Sequence, residues 1–473
     1  NDVLLTNQHK IQYPLRMLNI NFLITCRQIL RSKVSTSINL LGLSIGFAGF
    51  LLSCLYINWE TGYDNDNPEL ENIYLIGLSD HGAFTELTPP ALAQMIATNI
   101  PEVKKVGRVS YATFETPFIS ASGSVYVKKW IGADRSIADI FNIKIPESDL
   151  TDQNLTETNL VTEKIAKVLF PDSSLKQSSL PQKIALDQNF MFTYYIHGTS
   201  PNRNHSNLNY EAIFFKNDLA KDQEIGNPLP FQTYIVLQPD QNVTSVEKKI
   251  NQLYHQNISK EHHTVTSTFA HGNIYLDPLK NLHLQPKHGS NISYITIWAL
   301  RILSALILLM AGINFANLMV AQANKRVKEI GIRKLLGLNS LQLGVQLMIE
   351  SFLFCLIAAL ISIFFIFIGQ NILQKWVLPD PAYFIVDYHV FKQLSIAAFA
   401  TAFIAGIYPS IILSRLKVQN ALKTTYQIPL RSYYFRNGLL TFQFIMAMIF
   451  ISGFIVMQQQ LQFMSQSEKG FDP

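Results

Sequence analysis

Five stretches of the chain run without a single charged residue: Val34 to Trp59, Ile302 to Asn324, Ser351 to Gln374, Gln393 to Ser414 and Asn437 to Ser467. A helix needs about 20 apolar residues to cross a bilayer, so each is long enough to be a membrane span. Arg301 and Glu350 stand just outside two of them, where a long side chain can reach the interface. Between the first and second runs the rhythm changes. Short stretches rich in aromatic and β-branched residues recur there: "NIYLIGL", "GSVYVKKWIGA", "FMFTYYIHG", "EAIFFK" and "QTYIVLQ". Helical runs sit between them. "TPPALAQMIATNI" opens on Thr-Pro-Pro, "LTETNLVTEKIAKVLF" stops at Pro171, and "SVEKKINQLYHQNI" has Ser245 as its cap with Glu247 close behind. Strands and helices mixed in this way predict an α+β domain.

The predicted organisation is an α-helical membrane protein of four spans plus a fifth, with a large α+β extracytoplasmic domain between spans 1 and 2. Its segments are an amphipathic N-terminal stretch (1–33), span 1 (34–59), the inserted domain (60–292), span 2 (293–324) and a basic segment (325–340). Span 3 (341–375), a short loop (376–392), span 4 (393–414), a linker (415–436) and span 5 (437–467) follow.

Charge gives the spans a direction. Arg16, Arg27, Arg31 and Lys33 precede the first; Lys325, Arg326, Lys328, Arg333 and Lys334 separate the second from the third; Arg415, Lys417, Lys423, Arg431 and Arg436 separate the fourth from the fifth. The alternate connections have no excess of base. Glu60, Asp64, Asp66, Glu69 and Glu71 follow the first span with no Lys or Arg before Lys104, and Asp380 and Asp387 follow the third, balancing Lys375 and Lys392. The positive-inside rule then predicts a cytoplasmic N-terminus, a cytoplasmic basic segment and an inserted domain outside.

The basic segment has more than a topological pattern. On a helical wheel Val327, Ile330, Gly331, Leu335 and Leu338 share one side, while Lys325, Arg326, Glu329 and Arg333 lie on the other. Glu329 and Arg333 are spaced i,i+4, and Lys334 intrudes on the apolar side. Such a helix can lie on a membrane or dock in a groove of a cytoplasmic partner. "LLGLNS" reads as its stop, with Gly337 or Asn339 taking the positive φ of a helix end.

Composition agrees with a membrane protein: 48% of residues are hydrophobic and only 15% charged, against about a quarter in soluble domains. The net charge of +5 is small for 473 residues. Cys26, Cys54 and Cys355 all lie in or beside apolar runs, so the inserted domain has no disulfide framework and the thiols read as small hydrophobes. The chain opens on Asn1 rather than Met, and its first apolar run reads as a retained anchor rather than a cleaved signal.

Catalytic signatures carry little here. There is no G-x-x-x-x-G-K-[ST], so no ATP binding through a P-loop, and no H-E-x-x-H; Gly42-Leu43-Ser44-Ile45-Gly46 fits G-x-S-x-G but lies inside the first uncharged run rather than on a strand-to-helix turn. Most of the eleven histidines fall in the inserted domain, and the adjacent His262 and His263 point to different faces of any regular element. They read as solvated surface, with no metal and no cofactor expected. Asn154, Asn242, Asn257 and Asn291 fit N-x-[ST], which matters only in a eukaryotic secretory setting. No basic–aromatic surface suggests nucleic acid.

Several stretches resemble one family, the MacB/FtsX-type permeases of ABC transporters. "INFANLMVAQANKRVKEIGIRKLLGLNSLQLGVQLMIESFL" (Ile313 to Leu353) resembles the family's second span, coupling segment and start of the third span. "GIYPSIILSRLKVQNALK" resembles the end of its fourth span, and "NLLGLSIGFAGFLL" its first. "TPPALAQMIATNIPEVKKVGRV" and "NLVTEKIAKVLF" resemble its periplasmic core domain. The chain departs from the family at "PDSSLKQSSLPQKI" and "SPNRNHSNL". "RNGLLTFQFIMAMIFISGFIVMQQQLQFMSQSEKGFDP" resembles the opening span of a second permease half, as in members with two fused halves and eight spans.

The resemblance implies a bacterial inner-membrane permease with a periplasmic domain and no catalysis of its own. Its ATPase would be a separate cytoplasmic subunit, in two copies, and its second half would be fused or supplied by a dimer partner. Membrane lipid and a periplasmic or outer-membrane protein are further partners implied. The implied mechanism is mechanotransmission: ATPase closure pushes on the basic segment and the spans carry the motion outward, moving a peptide, lipoprotein or small toxic compound. Val327, Ile330, Gly331, Leu335 and Leu338 would form the docking face, with Arg326, Glu329 and Arg333 as its charged rim. Gly331 and Gly337 would allow close approach or a bend. Glu350 would pair with a cation of this segment, the plainer reading being an interfacial carboxylate. Two alternatives stand beside this: a regulator relaying force to an envelope hydrolase, and a membrane sensor, which the short cytoplasmic segments disfavour. A secondary transporter is disfavoured because the runs carry no ionisable residue at their centres.

Overall fold

The computed structural model describes residues 33–112, 114–146, 157–171, 181–186, 193–203, 205–219, 231–257, 272–376, 388–414 and 430–466. Cys26, Asn154, His262 and His263 lie outside them. The chain divides into two compact units, Asn1–Asn58 with Trp298–Pro473, and Trp59–Ile297.

Helix α1 (Lys33–Thr61) leads into the inserted unit, whose elements follow in order: β1 (Ile73–Asp80), β2 (Ala83–Thr85), α2 (Pro90–Asn99), β3 (Val103–Tyr111), β4 (Thr116–Ile119), β5 (Ser124–Val127) and β6 (Trp130–Asp134). Next come α3 (Ser136–Ile140), β7 (Glu157–Thr162), α4 (Glu163–Leu169), β8 (Gln182–Ala185), β9 (Thr193–Ile196), β10 (Gly198–Ser200) and β11 (Ala212–Lys216). The unit closes with β12 (Gln232–Leu237), α5 (Val243–Asn257), β13 (Asn273–Pro278) and α6 (Leu279–Leu282).

Nine strands form one mixed sheet in the order β10-β7-β11-β6-β3-β12-β1-β13, with β2 beside β1. Alternation along each strand feeds two cores, as the period of 2 requires. Ile73 and Leu75 of β1 and Tyr234 and Val236 of β12 face Ile137 and Ile140 of α3. Ile76, Leu78, Ile235 and Leu237 point the other way, onto Leu92 and Ile96 of α2 and Val246 and Ile250 of α5. A second sheet, β5-β4-β8-β9, packs Phe118, Val127, Ile184 and Ile196 against Ile165 and Leu169 of α4. The α+β expectation holds.

Three local expectations need correction. "LTETNLVTEKIAKVLF" is not one helix: Glu157–Thr162 is strand β7, its apolar and β-branched residues buried between β10 and β11, and only Glu163–Leu169 is helical. "GSVYVKKWIGA" is two strands, β5 and β6, in different sheets. Helix α5 is capped not by Ser245 but by Asn242, whose Oδ1 accepts the Ser245 N–H at 3.1 Å. Glu247 instead accepts from Leu276 N–H and Lys287 Nζ, each at 2.9 Å.

Two polar features cross the main sheet. Arg108 is buried and forks onto Asp134, with Nε to Oδ2 at 2.7 Å and Nη2 to Oδ1 at 3.1 Å, and reaches Asp218 at 2.6 Å. Nearby, Gln232 Nε2 donates to Glu86 Oε2 at 2.8 Å and Tyr234 Oη to Gln232 Oε1 at 3.1 Å. Burial pushes the carboxyls of Glu86 and Asp277 above their ordinary values, and each feels other charge: Asp277 raises Glu86 further, while the Lys287 N–H bond, Lys287 and His288 pull Asp277 back. The same burial, with Glu86 adding to it, lifts the hydroxyls of Tyr111 and Tyr275 to about 12.

The other unit is a helical bundle. Helix α1 is joined by α7 (Ile292–Leu335), α8 (Ser340–Trp376), α9 (Tyr388–Ser414) and α10 (Leu430–Gln466). Each of the five contains a stretch long and apolar enough to cross a membrane, as predicted: Thr36–Thr61, Ile292–Gln322, Ser340–Gly369, Tyr388–Ile411 and Arg436–Gln466. Four of them share one core, in which Phe47 and Leu51 of α1 meet Phe315 of α7, Phe354 and Cys355 of α8, and Ala402 and Ala405 of α9. Helix α10 touches this bundle through Gln443 Nε2, which donates to the Met310 carbonyl at 3.3 Å. Cys54 and Cys355 are buried free thiols, the small-hydrophobe role expected of them.

Candidate coupling turn between α7 and α8

Span 2 and the basic segment are one helix. Helix α7 runs on to Leu335 and ends where the sequence placed a stop. Gly337 takes φ +95°, a region that favours glycine, and a Cβ there would meet nothing within 4 Å, so the requirement is conformational. The Gly337 N–H bonds the Lys334 carbonyl and the Leu338 N–H the Arg333 carbonyl, both at 3.1 Å. These crossed bonds satisfy carbonyls that the helix end would otherwise leave open.

Asn339 then opens α8. Its Oδ1 accepts the Leu341 N–H at 3.4 Å, and Gln342 Oε1 accepts the Asn339 N–H at 3.1 Å. Asn339 thus caps the second helical N–H, and Gln342 at the third helical position supplies the return half of a capping box. Glycine stop and capping box together fold α8 back along α7 within a few residues.

The hairpin encloses its own small core. Val327 and Ile330 pack against Leu343 and Leu347 of α8, with Leu338 half-buried beside them. Gly331 is buried too. Val327 and Ile330, expected on the docking face, are covered by this chain's own α8, because the returning helix occupies that side of the wheel. What faces outward keeps Leu335 of that face and adds other apolar residues. Leu335 is 60% exposed, Leu336 83% and Leu341 75%, with Ile332 and Val345 also exposed. A wheel drawn for Lys325–Asn339 alone misses Leu341 and Val345, which lie on the next helix.

The charged rim is partly placed. Arg333 pairs with Glu329 one turn back, as the i,i+4 spacing predicted. The side chain of Arg326 lies outside the described residues. Glu350 is 3% exposed, buried in α8 one turn beyond Leu347. Lys334, which the wheel left as an intruder, has a distinct position. Its Nζ donates to the Ser414 carbonyl at 2.5 Å and to Ser340 Oγ at 3.2 Å, and burial lowers its pKa. Ser414 belongs to α9, so this cation joins the end of α7 to a third helix. Among the described residues no group of three or more His, Cys, Asp or Glu could hold a metal ion.

Comparison with known proteins places this geometry. Residues 301–418 match the FtsX-like permease C-terminal family, and residues 36–253 match the MacB-like periplasmic core domain. A stretch of 141 residues, 29% of this chain, is 26% identical to the macrolide export ATP-binding/permease protein MacB of Salmonella paratyphi A and spans only 20% of that protein's length. A solved domain assigned to a permease from Porphyromonas gingivalis covers 49% of this chain and 99% of its own at 15% identity, with a TM-score of 0.36. The periplasmic region of MacB from Actinobacillus actinomycetemcomitans covers 45% of this chain and 90% of its own at 11% identity, with a TM-score of 0.30. By its two matched regions the chain belongs to the MacB/FtsX-type ABC transporter permeases, an FtsX-like membrane part carrying a MacB-like periplasmic core domain.

Proposed function

We propose that this chain is a non-catalytic permease that works by mechanotransmission. An ATPase on a separate subunit, in two copies, pushes on the α7–α8 turn from the cytoplasm, and the spans relay that push to the inserted domain on the periplasmic side of the inner membrane. The substrate class is an envelope peptide, lipoprotein or small toxic compound. One observation carries the reading: a turn rigidly capped on both sides presents Leu335, Leu336 and Leu341 to solvent beside the Glu329–Arg333 pair. An exposed apolar cluster with a charged rim is how a helix end fits a partner's groove. Val327 and Ile330 then act inside the hairpin, passing displacement from α7 to Leu343 and Leu347 of α8. Lys334 passes it to α9.

The test is a gentle-detergent pull-down of the full chain read by mass spectrometry. The native chain and a Val168→Asp control on the inserted unit are expected to recover a P-loop ATPase, and Leu335→Asp with Leu336→Asp is expected to lose it. Equal recovery by all three, or no ATPase with the native chain, overturns the reading.

A further inference from the structure

Helix α1 packs on α7 along a track of glycines. A Cβ on Gly46 would lie 2.5 Å from Ala311 Cβ, one on Gly42 3.6 Å from Asn314 Nδ2, and one on Gly49 3.7 Å from Ile307. The helices are antiparallel: each step of three or four residues toward the start of α1 moves three or four residues onward in α7. One further step of three leads from Gly42 to Asn39 and from Asn314 to Asn317. Both asparagines are more than nine-tenths buried, at 3% and 7% exposure. Among the described residues Asn39 Oδ1 and both amide atoms of Asn317 have no hydrogen-bond partner.

An unmatched amide in a span interior is costly, because no water is there to replace the lost bond. At the opposite end of α1 the same chemistry is complete. Asn58 Nδ2 donates to Gln393 Oε1 at 3.2 Å and Gln393 Nε2 donates back to Asn58 Oδ1 at 3.0 Å. The glycine track lets the two backbones approach closely and puts no α1 side chain in the way of a small shift of α1 along α7.

We infer that Asn39 and Asn317 form a polar latch between spans 1 and 2, open in the arrangement described here and closed by a mutual amide hydrogen bond when α1 shifts along its glycine track. The latch is a property of the span bundle and does not rest on the ATPase reading. Closed, it replaces unmatched polar atoms by a bonded pair; open, it leaves α1 held on α7 by packing alone. The bundle thereby has two arrangements of span 1 that differ in one bond.

A double-variant cycle on the full chain in lipid nanodiscs tests it, with Asn39→Leu, Asn317→Leu and the pair compared by unfolding equilibrium. If the latch closes, each single variant is less stable than both the native chain and the pair, with a coupling of about threefold in the equilibrium constant, the usual size for a polar contact between spans. If the amides never meet, each single variant is more stable than the native chain, because one costly group has been removed, and the effects multiply without coupling; that result overturns the latch. A second measurement covers poor folding of the leucine variants. In a chain otherwise free of cysteine, Asn39→Cys with Asn317→Cys is expected to cross-link under mild oxidation and Asn39→Cys with Ile307→Cys is not. Failure of the first pair to cross-link also overturns the latch.

Discussion

Lys334 Nζ lies 2.5 Å from the carbonyl oxygen of Ser414, so the last turn of α7 is tied to α9. A hydrogen bond of this kind contributes about 0.5–1.5 kcal/mol net. Lys334→Met keeps the stem and removes the charge. It is expected to lower stability by about 0.5–1.5 kcal/mol. In the ATPase complex it should reduce turnover while leaving recovery of the ATPase unchanged, and Lys334→Arg should restore both. Thermal denaturation and a turnover assay on the same preparation read the two effects separately.

Gly337 and Gly344 make a matched pair for testing the turn. Gly337 holds φ +95°, whereas Gly344 lies inside α8, where a Cβ would sit 3.9 Å from Ser414 Cβ, an ordinary contact. Gly337→Ala should destabilise by about 1–3 kcal/mol through backbone strain. Gly344→Ala should be neutral or stabilising by up to about 1 kcal/mol, because alanine favours a helix interior. Limited trypsin digestion at the turn should accelerate in the first variant and not in the second.

The Glu86–Asp277 region should make the inserted domain respond to acid. Both carboxyls titrate above their ordinary values of 4.5 and 3.8, mainly because burial penalises charge. A raised folded value means the folded chain holds the proton more tightly than the unfolded one. This contribution is full below the ordinary values and lost as pH rises through the raised ones. Glu69 and Glu102 work the other way, because hydrogen bonds from Lys104 and Lys249 lower them, so the comparison must be a difference. Melting temperature of the native chain relative to Asp277→Asn should therefore rise as pH falls across that window. A flat difference would show that Asp277 holds no extra proton.

Arg108 and Asp134 should behave as a unit. Both are buried and joined by two side-chain bonds, and Asp134 also accepts the Arg108 and Leu219 N–H groups at 2.9 and 2.8 Å. Arg108→Met alone should cost about 3–5 kcal/mol, since it strands the buried Asp134, and Asp134→Asn should cost less, since Asp218 still faces the guanidinium. Arg108→Met with Asp134→Leu should recover part of that loss. Arg108→Lys should not rescue fully, because an ammonium cannot make the planar fork.

The spans were legible because one kind of residue decides them: five runs free of charge became five membrane-length helices. The inserted domain was legible as a class and less so in its elements. Leu160 and Val161 read as part of a helix because Glu163 to Leu169 beyond them is one, and only burial beside β11 makes them a strand. Asn242 and Ser245 both offer cap chemistry at the start of α5, so residue type alone does not choose between them. At the turn, Gly337 and the Glu329–Arg333 pair followed from local rules of φ and spacing. The covering of Val327 and Ile330 did not, since it depends on where Leu343 and Leu347 return. Lys334 could not be placed from sequence at all, because its acceptor lies eighty positions away.

The continuity of α7 has a further consequence. The face that meets α1, through Ile307, Ala311 and Asn314, and the face that meets α8, through Val327 and Ile330, belong to one uninterrupted helix and so share a rotational phase. Inserting one residue between them would turn one face against the other by about 100°, so only one of the two contacts could be kept. Inserting seven would return them to within about 20° of register. Length in this part of the chain is therefore free to change only in multiples of the helical repeat, whatever the residues inserted.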